Sequence, residues 1–342
     1  MPSDRQRLLW VDVAKGWGII LVVLGHTERG LINAGLAPQG GWLESMDAWV
    51  YAFHMPLFFF FSGLFASRGA AAPWRKFLNS RARTIVYPYL VWATAMTAVQ
   101  IVFSGSTNSP ATMHDLASIP YDPPMQFWFL YILFLVVCLH KLLQTVTKSP
   151  LWVFAASLVL FASTPLMPAL LARTANYLPY FAGAAFLAPH CHRLARMAQP
   201  LLIGLAAMAF VLLTFIYSQG SLRLLATVAG ILGSVALSSA AARTQLGPVL
   251  AFLGRASLAI FVAHTLASAG FRIVLMKLGV EHLWLQLIGG IAAGLFFPIA
   301  LEWAAEKLGF RHLFTLQHRL GAFPSTQLGS NCPRPNPTSS KP

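Results

Sequence analysis

The chain has 342 residues, 57% of them hydrophobic and only 10% charged, with mean hydropathy +0.64 and formal net charge +14. Soluble domains use about a quarter of their residues as charges, so a soluble globular enzyme is excluded. The three cysteines, Cys138, Cys191 and Cys332, are far apart without a CxxC, which implies neither a disulfide framework nor a zinc site.

Apolar runs near twenty residues recur, enough to cross about 30 Å of hydrocarbon as helices. They predict an all-α, polytopic membrane protein with spans at about 8–26, 49–66, 83–103, 127–145, 151–170, 176–189, 200–217, 222–241, 250–275 and 283–304. Pro165 and Pro168 interrupt the fifth, and the sixth is short. No signal peptide is expected, because Asp12 and Lys15 break the first apolar run and no small-residue cleavage site follows. The expected organisation is one membrane domain over 1–322 and a disordered Pro- and Ser-rich tail over 323–342. No repeat of fixed period is present, which argues against a repeat-built transporter.

Ten spans with both termini cytoplasmic place nineteen of the 24 Lys and Arg residues inside, leaving only Arg29, Arg173, Arg223, Arg272 and Lys277 outside. This is the positive-inside bias. The basic charge therefore reports topology, and no nucleic acid partner is expected. The loop over 104–126 has no Lys or Arg, as an external loop should. His190-Cys191-His192 is a short metal-like tract, but it lacks further ligands, and no metal is expected.

In the first span, Asp12, Lys15 and His26 interrupt an apolar helix. Lys15 and His26 are eleven positions apart, which puts them within roughly 20° of one line and about 16 Å apart in rise. Asp12 shares that face. Lys15 could snorkel to the cytoplasmic surface while His26 caps the external end. Alternatively, the stripe lines a water-accessible pocket with Lys15 near one mouth. Ile19, Ile20, Val22 and Val23 are left to face lipid or neighbouring helices.

The second span, "FHMPLFFFFSGLF", carries His54, Pro56, Ser62 and Gly63. Pro56 removes a backbone donor, Gly63 permits close helix approach, and His54 reads equally as a packing or a functional histidine. Arg68, Arg75, Lys76, Arg81 and Arg83 follow. They suit orientation and anionic lipid, but Arg81 and Arg83 open the third span and would also suit a polyphosphate. Trp128 opens the fourth span as an interfacial aromatic. "LGRASLAIFVAHTL" places Arg255, Ser257 and His264 in the ninth span, where His264 is either a site residue or a packed histidine. Gly290 begins a GxxxG that reads as helix packing.

Together these stretches resemble the acyltransferase-3 family of polytopic membrane acyltransferases, which includes O-antigen and nodulation-factor O-acetyltransferases. The motifs carrying the resemblance are Lys15, ten residues and His26, preceded by Asp12; Pro56 to Gly63; Arg81 to Tyr89; Trp128; and Gly254, Ser257 and His264. Lys15 stands where many members have arginine. The resemblance covers about 8–305 and implies transfer of an acetyl group from cytoplasmic acetyl-CoA to a hydroxyl of an extracytoplasmic carbohydrate. It implies that Lys15, Arg81, Arg83 and Ser62 bind the donor and that Asp12 pairs with Lys15. His26 is the expected general base or acyl carrier, with His54 and His264 assisting. A neutral imidazole suits removal of a sugar hydroxyl proton near neutral pH.

The expected partners are a glycan or lipid-linked saccharide acceptor and membrane lipids. A partner protein taking the acyl group, or a second copy of the chain, is left open. The expected location is the inner membrane. Rival readings are a proton-coupled transporter using Asp12, Lys15 and His26 as a relay, and a structural or sensory protein binding lipid or quinone at the histidines.

Overall fold

The computed structural model describes residues 4–38, 40–41, 43, 47, 50–67, 72–108, 110–190, 203–204, 208, 223–310 and 312–316. Among them all regular structure is helical, with no strand. The helices are α1 (Asp4–Asn33), α2 (His54–Leu64), α3 (Trp74–Arg81), α4 (Tyr87–Val102), α5 (Met113–Ser118) and α6 (Trp128–Thr147). They continue as α7 (Pro150–Ala162), α8 (Ala169–Leu187), α9 (Arg223–Ala241), α10 (Leu246–Arg255), α11 (Ser257–Lys277) and α12 (Leu283–Lys307).

Five stretches are long and apolar enough to cross a bilayer: Leu9–Asn33, Trp74–Val102, Met125–Thr147, Ser257–Lys277 and Leu283–Lys307. The protein is thus an all-helical membrane protein. Each of the other expected spans contains a shorter helix among the described residues, apart from the one at 200–217. That span lies almost wholly outside the described residues, as do Arg68, Cys191, His192 and the 323–342 tail.

Two expected boundaries shift for local reasons. The run at 151–170 ends as helix at Ala162, and α8 starts at Ala169 rather than at 176. Pro165 and Pro168 cause the break, since Pro cannot donate within a helix and suits a helix start. The run at 250–275 divides at Ala256, where ψ is 2°, into α10 and α11.

α1 is the most buried of the five long stretches and packs against α2, α9, α10, α11 and α12. Ile19, Val22 and Val23 are all but inaccessible, so these faces meet helices rather than lipid. Glycines make the closest approaches possible. A Cβ on Gly16 would collide with the carbonyl oxygen of Leu250, and one on Gly254 with that of Asp12. Gly290 sits on the Thr27 methyl, and Gly294 on Val23 and Ser268.

The neighbours of α1 have definite senses. His26 meets His264, Thr27 donates to Ser268 at 3.3 Å and Gly30 lies under Arg272, so α11 runs alongside α1 in the same direction. The Gly290 and Gly294 contacts make α12 run the opposite way.

Between α3 and α4 the helix widens to a π-turn over Ala82–Val86, with the Tyr87 amide donating to Ala82 O. Pro88 explains it: it has no N–H for the carbonyl of Thr84, so the ladder loosens just before it. The widened turn follows Arg81 and carries Thr84 and Ile85 to a cavity wall.

Candidate active site

α1 borders two cavities, one at each end of its polar face. The first, of about 400 Å³, is lined by Lys15, Ser62, Arg81, His140, Lys141 and Ser257 with aromatic walls. The second, of about 610 Å³, is lined by His26, Arg29, Gln126, Trp128, Arg272 and Gln286 among others. A single pocket holding both Lys15 and His26 was one sequence expectation; the structure divides it.

The division is aromatic. Phe58, Phe129 and Phe261 line the Lys15 cavity, with Phe58–Phe129 centroids at 6.0 Å and Phe129–Phe261 at 5.2 Å. The chain neighbour of Phe129, Trp128, faces the other cavity. Phe261 also stands 6.2 Å from the ring of His264. Three edge-to-face rings from α2, α6 and α11 therefore form a partition between the lysine and the histidine of α1.

In the Lys15 cavity, Arg81 is half-buried and its Nε has no hydrogen-bond partner among the described residues. Lys15 lies 5.5 Å from the Phe65 ring centre. Lys141 donates to Ala72 O at 3.1 Å, leaving charge directed at the same space. The Ser62 hydroxyl donates to Phe58 O at 2.8 Å while still facing the cavity. Three cations among phenylalanines suit a ligand that combines phosphate with an apolar stretch. Arg83 departs from expectation: it is exposed and lies outside this lining, because the π-turn presents Arg81 and Thr84 instead.

Asp12 lies beside this region rather than in it. Its Oδ2 is 4.0 Å from Arg255 Nη1, and it also feels the charge of Lys15. A cation pair around one carboxylate lowers the cost of holding Lys15 in the bundle.

His26 is half-buried at the second cavity, with its ring centre 5.0 Å from that of His264. His264 is wholly buried. Its Nδ1 lies 2.8 Å from Phe261 O and 3.0 Å from Ile260 O. A carbonyl only accepts, so Nδ1 carries the hydrogen and Nε2 receives the Thr265 hydroxyl at 3.2 Å. The ring is thereby locked behind His26.

His54 is buried and lines neither cavity. Its Nδ1–H donates to Val50 O at 2.8 Å, and its ring meets Tyr51 edge-on at 4.9 Å. Tyr51 in turn lies under Arg29 at 3.8 Å, and Arg29 pairs with Asp47 at 2.8 Å. His54 thus supports the cavity wall through Tyr51.

Several site residues carried little sequence signal. Trp128, read as an interfacial aromatic, is buried, tilted over Tyr177 at 5.5 Å and capped by Arg173 at 4.6 Å. His140, Lys141, Gln126 and Gln286 lay in no motif. Arg272 did carry a signal, being one of the five cations expected on the external side. Among the described residues no three His, Cys, Asp or Glu side chains gather as metal ligands would.

Two cavities of different chemistry thus lie at the two ends of one histidine–lysine face on a central helix. The profile of the acyltransferase-3 family, described as an acyltransferase domain, matches residues 8–303. The chain belongs to this family.

Nodulation protein NolL of Mesorhizobium japonicum is 30% identical over 167 residues, covering 48% of this chain and 43% of that protein. NolL of Sinorhizobium fredii is 29% identical over 52% of this chain and 48% of its own length. Succinoglycan biosynthesis protein ExoH of Rhizobium meliloti is 27% identical over 55% and 57% respectively. The chain thus spans about half the length of the curated relatives it matches. No solved structure matches the chain.

Proposed function

We propose that the protein is an inner-membrane O-acyltransferase that moves an acetyl group from cytoplasmic acetyl-CoA to a hydroxyl of an extracytoplasmic glycan or lipid-linked saccharide. One observation carries this reading: Lys15 and His26 share a face of α1 yet open into different cavities. A transferase with a phosphorylated donor on one side and a hydroxyl acceptor on the other needs that arrangement. The names of the relatives, concerned with nodulation and succinoglycan biosynthesis, support a saccharide acceptor.

Acetyl-CoA, when bound, supplies an acyl group activated as a thioester. Lys15, Lys141 and the unpartnered Arg81 Nε hold its phosphates, and the phenylalanine walls hold its apolar arm. Asp12, paired with Arg255, sets a carboxylate beside Lys15 and orients it. His26 takes the proton from the acceptor hydroxyl at a ring nitrogen as the oxygen bonds to the acetyl carbon. That proton then goes to the CoA sulfur, which leaves as the free thiol when the C–S bond breaks. His264, fixed on two carbonyls, keeps the His26 ring from turning away. The aromatic partition shields the donor from water until an acceptor fills the second cavity, and its rings turn aside to let the hydroxyl reach the acetyl group. In this reading the membrane domain extends over 1–322, with 323–342 as a tail.

Purified protein in detergent tests the assignment through acetyl-CoA binding and slow donor hydrolysis. His26→Ala is expected to lower turnover at least about a hundredfold, the usual size of a lost general base, with donor binding retained. Lys15→Ala is expected to weaken binding about tenfold, as for a lost hydrogen bond to a charged group. If the wild type binds no acetyl-CoA at millimolar concentration and instead shows donor-independent flux in sealed vesicles, the relay transporter takes its place.

A further inference from the structure

The positive-inside rule removes cations from the external side of a membrane protein, so those that remain there need a reason. The expected ten-span topology leaves only Arg29, Arg173, Arg223, Arg272 and Lys277 there. Arg29, Arg272 and Lys277 line the His26 cavity, and Arg173 caps its Trp128 wall. Four of the five external cations are therefore gathered at one cavity.

They are not equivalent. Asp47 neutralises Arg29, Lys277 is exposed, and Arg173 rests on the indole face. Arg272 is only 7% exposed, and its Nε has no hydrogen-bond partner among the described residues. Among the described residues no acidic side chain pairs with it. Its Nη1 lies over Gly30, one turn along α1 from His26, where any Cβ would displace it.

A guanidinium in that position is costly unless something anionic meets it. Nearby amides are also unsatisfied. Gln126 is 1% exposed with neither amide atom bonded, and Gln286 is fully buried with Nε2 on Val280 O at 2.8 Å but Oε1 unpartnered. Buried polar groups are normally paired, so these atoms point to a ligand with both a charge and several hydroxyls.

We propose that the His26 cavity takes an anionic saccharide, with Arg272 binding a carboxylate or phosphate and Gln126 and Gln286 binding hydroxyls. This rests on the reading of that cavity as the acceptor side. The anion comes either from an acidic sugar ring or from the phosphate that links a saccharide to a lipid carrier. Arg272 holds it one helical turn from His26, which fixes which hydroxyl reaches the base.

The test is binding to the full-length protein in detergent, with cellobiose, cellobiouronic acid and inorganic pyrophosphate as probes. The wild type is expected to bind at least one anionic probe tenfold or more tighter than cellobiose. With the donor cavity saturated by CoA throughout, a preference for cellobiouronic acid assigns the charge to the sugar, and one for pyrophosphate assigns it to the linkage. Arg272→Gln should abolish the preference, Arg272→Lys should keep part of it, and the exposed Lys307→Gln should keep all of it. Equal binding of the three probes by the wild type overturns the proposal without any variant. A preference that survives in folded Arg272→Gln overturns it as well. Donor hydrolysis by the same wild-type sample is read separately. Hydrolysis without anion preference sinks this inference alone, whereas preference without acetyl-CoA binding sinks the donor assignment.

Discussion

Arg81 and Arg83 are two residues apart in "RARTIVYPYL", and sequence treats them alike. The structure does not: Arg81 is half-buried at the Lys15 cavity with an unpartnered Nε, while Arg83 faces outward. Arg81→Gln is therefore expected to weaken acetyl-CoA binding about tenfold. Arg83→Gln should leave it within twofold, as measured by equilibrium binding in detergent. A similar contrast divides the histidines. His26 faces its cavity, whereas His264 and His54 each have Nδ1–H committed to main-chain carbonyls. Motif reading marked all three, and burial separates the one facing a cavity from the two packed behind it.

At the scale of elements, α1 works because glycines let other helices reach its backbone. Gly254 and Gly16 bring α10 into contact with the turn holding Asp12 and Lys15, so that Arg255 approaches Asp12. Gly254→Ala would drive a methyl into Asp12 O, an overpacking that costs about 1–3 kcal/mol or more. It should lower the thermal midpoint in detergent by several degrees and weaken donor binding with it. Gly270 is the control in the adjoining α11, since nothing lies within 4 Å of a Cβ built there. Gly270→Ala should leave stability unchanged or raise it, because Ala outperforms Gly in a helix interior by about 0.5–1 kcal/mol. The π-turn before Pro88 belongs to this scale as well. One missing N–H redirects the chain so that Arg81, rather than Arg83, meets the cavity.

At the scale of the whole molecule the decisive feature is the wall between two cavities. Phe58, Phe129 and Phe261 come from three helices distant in sequence and close off a path that the polar face of α1 would otherwise leave open. Phe129→Ala should join the cavities and admit water to the donor. The expected outcome is a several-fold rise in acetyl-CoA hydrolysis without acceptor, together with a lower ratio of transfer to hydrolysis when acceptor is present. Unchanged hydrolysis in a folded variant would mean that the rings are packing and nothing more. The wall also gives Arg272 its setting: behind it, Arg272 lines the His26 cavity with no acidic partner among the described residues.

The sequence by itself determined the class of protein and its one-dimensional marks. Hydropathy runs required membrane helices, charge bias implied their sense, and helical periodicity put Lys15 and His26 on one face. The ordered motifs named the family. These features are local or periodic, so they are legible without a fold. Tertiary structure alone decided that the face opens into two cavities, that Ile19, Val22 and Val23 meet helices rather than lipid, and that Trp128 lines a wall instead of an interface. It also brought Gln126, Arg272 and Gln286 to His26 from three separate helical segments. Such groupings depend on which helices touch. That is fixed by close packing at small residues and by the burial of polar groups between helices, and neither leaves a fixed spacing along the chain.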